Sequence, residues 1–286
     1  MLSNKVSEIM TRELITASTS STILDVMELM VAKNVGRAII TENEIPVGIF
    51  TERDVLKRVM NKKLDPKETS IKKVMTSPVR AVQQDTHIVE ALGRMYRSKF
   101  RHLLVREGKG KIIGMISMRR ILKLAVESGQ GLTESQTVGS IMSKDVVTID
   151  ADESTYDAIE LMIKKDTGCV VVMSHGKPRG IFTERDVLRR VATKKIDTKK
   201  TTIQKVMTTD LVTLPKTALI GRALEEMYKR GFRHIVILGD QKELVGIVAM
   251  RDVLKYAKAL DVDEKVRSTW KEIEEFWESE EHYTPG

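Results

Sequence analysis

Slid along itself by 132 positions without gaps, the first half of this 286-residue chain falls on its second half. The nine residues GIFTERDVL that begin at Gly48 return unchanged at Gly180. The same shift sets Met10 on Met142, Thr51 on Thr183, Met75 on Met207, Arg101 on Arg233, His102 on His234 and Gly114 on Gly246. A fixed internal period constrains architecture more than any single motif, because each copy must fold alike and bury its apolar face against a neighbour. A shorter period runs inside each half. EIMT at 8 recurs as KVMT at 73, SIMS at 140 and KVMT at 205, while VGIF at 47 is echoed by IGMI, RGIF and VGIV. Four units of about 65 residues result, odd ones resembling odd and even ones even.

One unit reads as follows. After the IMT segment comes a short apolar stretch at Leu14 and Ile15, then a helix opened by Ser20 or Ser21, with Ile23, Val26, Met27 and Met30 on one face at helical spacing. Two β-rich stretches follow, RAII at 37 and PVGIF at 46, separated by the polar turn TENE. RDVLKRVM then resumes the helical period. The order is strand, helix, strand, strand, helix, an α+β arrangement, and a unit this small buries too little surface alone, so pairing is expected. The expected pairs are residues 1–127 (units 1–62 and 66–127) and 138–259 (units 138–194 and 198–259). ESGQGLTESQT from Glu127, with two glycines and no apolar period, reads as a linker over 128–137.

Composition narrows the function. No apolar run approaches the ~18 residues of a membrane helix, and the N-terminal residues lack a signal-peptide pattern, so a cytoplasmic protein is expected. The single cysteine, Cys169, and five scattered histidines supply no metal-ligand spacing, so no metal is expected. No Gly-rich phosphate loop, nucleophile signature or HExxH motif supports an enzyme. The net charge is +8, yet residues 261–286 carry nine acids and three bases, leaving +14 on the remainder. A field of that sign attracts nucleotides, nucleic acid or an acidic partner.

The TERD segment fits a capping box, in which Thr51 and Asp54 satisfy backbone donors at a helix start. Two details argue for more. Glu or Gln is the usual far partner, and Arg53 in the first turn opposes the helix dipole, which suggests an anion nearby. The even units break the pair: Ser117 keeps a hydroxyl but Arg120 replaces the carboxylate, and Asp252 keeps the carboxylate but Ala249 replaces the hydroxyl. The even units alone carry MYRSKFRHLLV and MYKRGFRHIVI, placing Arg101 with His102, and Arg233 with His234, at the start of an apolar strand; the odd units hold VGRAII and TGCVVV there. If an odd and an even unit pack face to face, hydroxyl, carboxylate and cations converge on one cleft. The carboxylate suits a ribose diol, and the helix start with Arg and His suits phosphate.

These motifs together, an IMT lead, a VGIFTERDVL exit and pairwise βαββα repeats, resemble the cystathionine β-synthase (CBS) domain family over residues 1 to about 258. The resemblance implies four CBS repeats in two Bateman modules with ligand clefts between paired repeats, and a regulatory protein that binds AMP, ADP or ATP and transmits occupancy by conformational change. S-adenosylmethionine or NADH is the alternative ligand. Carried over, Thr51, Arg53 and Asp54 work with Val79, Arg80, Arg101 and His102, while Thr183, Arg185 and Asp186 work with Leu211, Val212, Arg233 and His234. The weaker set is Ile15, Thr16, Arg37, Ser117, Arg119, Arg120, Val147, Thr148 and Asp252. Arg120 should remove ribose binding, resembling the non-binding site of the γ subunit of AMP-activated protein kinase, though with Arg119 it is expected to reach a neighbouring phosphate. Asp252 is left with Ala249 and, opposite, Gly168 and Cys169. Two strong sites, one weak and one empty are expected.

From Leu260 the chain changes character. Val266, Trp270, Ile273 and Trp277 fall along one helical face among acids, an acidic amphipathic helix over 260–286 that either docks on the body or meets a protein target. Nucleic acid is the rival partner, given lysine runs such as NKKLDPKETSIKK, but these lack interleaved aromatics. The chain is expected to be a monomer with internal module pairing or a homodimer.

Overall fold

Thr22 and Ser154 open equivalent helices, Ile23–Ala32 and Thr155–Lys164, by accepting a hydrogen bond from the backbone three residues on. At the first of these Asp25 returns the bond, so the cap lies at Thr22 and not at Ser20 or Ser21. Ile23, Val26, Met27 and Met30 are fully buried, as their spacing requires. The computed structural model describes residues 5–98, 100–108, 110–121 and 136–254. Residues 128–135 of the expected linker and the helix expected over 260–286 lie outside the described residues.

Each repeat builds one three-stranded sheet: β1 (Thr16–Ser18), β2 (Arg37–Glu42) and β3 (Ile45–Thr51); β4 (Ala81–Gln83), β5 (His102–Glu107) and β6 (Lys111–Ser117); β7 (Thr148–Asp150), β8 (Cys169–Ser174) and β9 (Lys177–Thr183); β10 (Thr213–Pro215), β11 (His234–Leu238) and β12 (Leu244–Ala249). In every sheet the first strand runs parallel to the second, across a helix, and the second antiparallel to the third, across a hairpin. The TENE turn puts Asn43 and Glu44 at positive φ, 49° and 65°, the twist a two-residue hairpin needs.

The leading segment of each repeat completes the sheet of its partner. Thr11 pairs with Met115 of β6, Thr76 with Ile49 of β3, Ser143 with Ile247 of β12 and Thr208 with Ile181 of β9. Four glycines permit this. A Cβ on Gly114 would lie 2.7 Å from the Met10 sulfur and 2.8 Å from the Thr11 carbonyl oxygen, and on Gly180 it would lie 2.5 Å from the Met207 sulfur and 2.8 Å from the Thr208 oxygen. Met75 sits the same way on Gly48, and Met142 on Gly246. The recurring IMT and VGIF motifs are therefore the two halves of one contact between repeats.

The two modules then close on each other within one chain. Repeats 1 and 3 share a core that includes Phe50, Leu56, Phe182 and Leu188, and repeats 2 and 4 share another that includes Met95, Ile116, Met227 and Val248. With a third, smaller cluster of Ile39, Leu104 and Met115 between repeats 1 and 2, the four units form a ring. The segments after TERD are π-helical, Val55–Met60 and Val187–Ala192, as the bonds from Asn61 N–H to the Leu56 oxygen and from Thr193 N–H to the Leu188 oxygen show. These wide turns meet across the interface between repeats 1 and 3.

Gly180→Ala is expected to destabilise the protein by about 1–3 kcal/mol, because both a side chain and a backbone oxygen must yield. Urea melts with a tryptophan-independent readout, such as far-ultraviolet circular dichroism, measure it. An unchanged midpoint would show that the methionine seat carries no packing constraint.

Candidate functional site

Thr51 and Asp54 form a complete reciprocal cap. Asp54 Oδ2 accepts from the Thr51 N–H at 2.8 Å and from the Thr51 hydroxyl at 2.7 Å, while the Thr51 hydroxyl oxygen accepts from the Asp54 N–H at 3.4 Å. Thr183 and Asp186 repeat the geometry. Aspartate thus reaches back as glutamate would. The second carboxylate oxygen of Asp54 faces Arg58 at 3.3 Å, and that of Asp186 faces Arg190 at 3.4 Å and accepts from the Thr208 hydroxyl at 3.0 Å. Arg58 in turn donates to the carbonyls of Val74 and Met75, tying the helix to the segment lent by the partner repeat. Burial raises the pKa of both aspartates, against the pull of their Thr partners and arginines.

The anion that Arg53 called for is a protein group. Arg53 pairs with Asp166 of repeat 3 at 3.0 Å, and Lys57 joins the same carboxylate. Its counterpart Arg185 binds Glu52, 3.1 Å away in the other module.

Glu52 and Glu184 are 1 % and 6 % exposed and lie at the centre of the ring. Each is fixed by its own backbone N–H, which donates to the carbonyl of Gly36 or Gly168 at 3.1 Å. Gly36 keeps this approach close: a Cβ there would stand 3.0 Å from the Glu52 carboxyl and 3.1 Å from the Arg233 guanidinium. Glu52 accepts from Arg185 and Arg233, and Glu184 accepts from Arg101 at 3.2 Å. Burial alone would raise the Glu52 pKa, but Arg233 and Arg185 outweigh it and hold the carboxyl below its ordinary value. Around the two acids the cations crowd one another. Arg37 is pushed down to about 10 by burial and by Arg233, only partly relieved by Glu52. Arg119 is lowered by burial, Arg185 and Arg233, and His102 falls well below its usual value through burial, Arg37, Arg101 and Arg233, so it is neutral at pH 7. Three guanidiniums, Arg101, Arg185 and Arg233, pair with the two buried carboxylates, and Arg37 and Arg119 lie within their electrostatic reach. The centre attracts anions.

A small open cleft lies beside this centre in module 2, lined by Thr183, Arg185, Leu211, Val212, Arg233 and His234 from the expected set, together with Glu52, Gly168, Ile181, Glu184, Asp210, Gly231 and Phe232. Asp186 stands at the head of the helix behind Thr183, and Gly168, expected opposite Asp252, lines the Thr183 cleft. In module 1 the same frame recurs: Val79 packs with Ile49 and Leu104, the Arg80 carbonyl accepts from the Leu104 N–H, and the Arg80 guanidinium lies 5.8 Å from the centre of the Phe100 ring. His102 and His234 pair across their sheets with Ser117 and Ala249, as Arg37 does with Thr51.

The weaker set divides. Arg119 reaches the centre, but the Arg120 Nε–H donates to the Ile9 carbonyl at 3.0 Å and its backbone N–H to the Ser117 hydroxyl, so Arg120 secures the lent segment. The Arg37 Nε–H meets the Met115 sulfur at 3.2 Å. Asp252 still accepts from the Ala249 N–H at 2.8 Å, half of the cap. Ile15 and Val147 accept from the Ile39 and Val171 N–H groups beside exposed Thr16 and Thr148, so these four stand at the heads of the first strands.

Sequence reasoning missed Glu52 and Glu184. The signal was present, since TERD carries glutamate where the even repeats have Met118 and Met250, which lie in the core shared by repeats 2 and 4.

The family profile of the CBS domain matches this chain four times, over residues 6–61, 71–127, 138–193 and 203–259. The chain belongs to the CBS domain family. Its four CBS repeats form two Bateman modules. Among similar curated proteins, the CBS domain-containing protein CBSCBSPB1 of Arabidopsis thaliana is 25% identical over 95% of this chain and 58% of its own length, and CBSCBSPB5 of the same plant is 26% identical over 82% and 50%. The chain thus spans about half the length of the curated relatives it matches. Among solved structures, a Methanocaldococcus jannaschii protein described as a candidate archaeal homologue of g-AMPK superimposes with a TM-score of 0.74 at 18% identity, covering 88% of this chain and 99% of that one. A conserved Pyrococcus horikoshii protein gives 0.60 at 16% identity over the same shares. These likenesses place the four CBS repeats in a shared fold. Among the described residues no helix is long and apolar enough to cross a membrane, and no cluster of metal-ligating side chains occurs.

Glu52→Gln is expected to cost about 1–3 kcal/mol at pH 7, since it strips charge from a buried hydrogen-bonded pair. The folded pKa of Glu52 is depressed. Its contribution is therefore complete above the ordinary glutamate value of 4.5 and is lost as pH falls through the lower folded value. Thermal melts of wild type and variant should converge toward pH 3; a gap independent of pH would assign the loss to packing.

Proposed function

We propose that this CBS protein is a regulatory sensor of adenine nucleotides, AMP, ADP or ATP, without chemistry of its own. One observation carries the reading: three guanidiniums pair with two buried carboxylates at the ring centre, with Arg37 and Arg119 in electrostatic reach, beside a cleft whose rim carries a helix start, a hydroxyl and a carboxylate. Phosphate oxygens are the ligand for crowded arginines and helix starts. The aspartates with raised pKa suit a ribose diol, because two hydroxyl donors supply what burial took away. Leu211, Val212 and Phe232 offer an apolar wall for a base. The description of the M. jannaschii neighbour as a candidate g-AMPK homologue is in line with this reading.

Occupancy has a physical route to the rest of the ring. Glu52 belongs to module 1 yet lines the module 2 cleft, so a phosphate that competes for Arg185 or Arg233 changes the charge balance at the helix that carries Thr51 and Asp54. Two sites that share arginines are coupled in binding free energy, and the coupling is reciprocal.

Calorimetry and thermal shift with AMP, ADP, ATP, S-adenosylmethionine and NADH test the proposal. A nucleotide at 100 times its Kd stabilises by about 2.7 kcal/mol per site. Asp54→Ala and Asp186→Ala should each remove one site while the fold survives, and two-site binding retained in the double variant would refute the assignment.

A further inference from the structure

The loops that follow the two π-helical segments lie side by side. Residues 61–73 of repeat 1 and 193–205 of repeat 3 each run through two turns into a short 3₁₀ segment, Ile71–Lys73 and Ile203–Lys205. Each loop is fixed to the start of a helix. The Ile23 and Leu24 N–H groups donate to the Thr69 and Pro66 carbonyls, and the Thr155 and Tyr156 N–H groups to those of Thr201 and Thr198. Because the π-helical segments meet across the interface between repeats 1 and 3, closing the ring brings the loops together. The Lys67 and Lys195 ammonium groups, one from each module, stand within hydrogen-bonding reach of each other, and this proximity lowers the Lys195 pKa.

Together the loops carry ten lysines, all exposed, and the shift of 132 sets Lys62 on Lys194, Lys63 on Lys195, Lys67 on Lys199 and Lys73 on Lys205. Their three acids are Asp65, Glu68 and Asp197. Two of these turn back on their own loops: Asp65 Oδ1 accepts from the Lys67 N–H at 2.8 Å, and Asp197 Oδ1 from the Lys199 N–H at 3.1 Å. Among the described residues only Lys72, paired with Glu42 at 2.6 Å, and Lys200, paired with Asp197 at 3.6 Å, have a carboxylate partner. With the acids beside the loops included, Glu28, Glu42 and Asp152, ten lysines against six acids leave +4. The corresponding stretch of repeat 2, residues 127–136, has two acids and no base, so the repeat does not require lysine there.

Ammonium groups crowded together without counter-ions attract a polyanion. An acidic protein would be expected to add an apolar centre to the contact, yet the exposed large hydrophobic residues among those described, Ile45 and Leu219, lie outside these loops. Single strands are held by stacking on free aromatic faces, and the ring of Tyr156, beside the second loop, has the Lys199 ammonium over it at 5.3 Å. Lysine binds phosphate as a point charge, and a duplex presents one negative charge per about 1.7 Å of its axis. We propose that this face, assembled by closure of the two modules, binds the phosphate backbone of a double-stranded nucleic acid without reading its sequence. A backbone that spans both loops relieves the repulsion between Lys67 and Lys195 and so holds the modules together.

Fluorescence anisotropy of a labelled duplex DNA of about 20 base pairs and mixed sequence, titrated with the full chain between about 50 and 200 mM salt, tests the proposal. With about four phosphates neutralised, affinity falls about a hundredfold over that range. Lys62→Gln, Lys67→Gln, Lys194→Gln and Lys199→Gln combined should weaken binding about tenfold or more at the low-salt end and flatten the salt dependence, with a circular dichroism melt no lower than that of wild type. The same charge removed from repeats 2 and 4, by Lys111→Gln, Lys216→Gln, Arg222→Gln and Lys229→Gln, should leave binding within about threefold of wild type. Equal losses in the two variants would overturn the proposal by reducing it to net charge, as would absence of binding at the low-salt end. Tighter binding of a single strand of the same length would overturn the duplex assignment, and displacement of the duplex by poly-glutamate at equal charge would give the face to an acidic protein instead.

Discussion

A buried carboxylate that belongs to one module and is held by arginines of the other organises the centre of this molecule. Burying Glu52 and Glu184 without partners would be costly, and guanidiniums from across the ring reach both. The arginines are equally dependent, since without the glutamates their mutual repulsion would be uncompensated. The centre is thus an ion network with more positive than negative charge, closed enough to be strong and incomplete enough to accept an anion. Its geometry requires all four repeats, because Glu52 comes from the first, Arg101 from the second, Glu184 and Arg185 from the third and Arg233 from the fourth.

The apolar structure supports that arrangement by pairing units twice over. Within a module the repeats exchange their leading segments, and between modules the helices pack odd on odd and even on even. The first kind of contact sets the spacing of the two sheets that flank each cleft. The second brings the TERD helices of repeats 1 and 3 together, and with them the glutamates. Arg58 and Arg190 join the two levels, since each touches both a capping aspartate and the backbone of a lent segment.

Much of this was legible in the chain. The shift of 132 revealed the duplication, helical spacing found the Ile23 to Met30 stripe, and the parity of TERD and FRH picked out Thr183, Arg185, Arg233 and His234, which line one cleft. What the sequence hid was ownership. IMT reads as the start of a repeat, but Met10 and Met75 seat on glycines of the neighbouring sheet, a fact carried by tertiary contact and not by any local period. In the sequence Arg53 calls for a nearby anion, and Arg120 is expected to reach a phosphate. Asp166 and the Ile9 carbonyl, more than a hundred residues away in sequence, take their charge and hydrogen bonds instead. Glu52 escaped notice because a glutamate in the first turn of a helix looks like an ordinary solvated residue, and only the ring makes it central.

The exchange of leading segments also bears on how such a chain can arise. A single repeat leaves its own leading strand without a sheet to join and its own glycine without a methionine to fill it, so the smallest piece in which every segment finds a partner is two repeats. Copying one unit would create an unsatisfied edge, whereas copying a pair creates none. The period at which this sequence repeats most faithfully, 132 residues and not half that, is the period at which the structure closes.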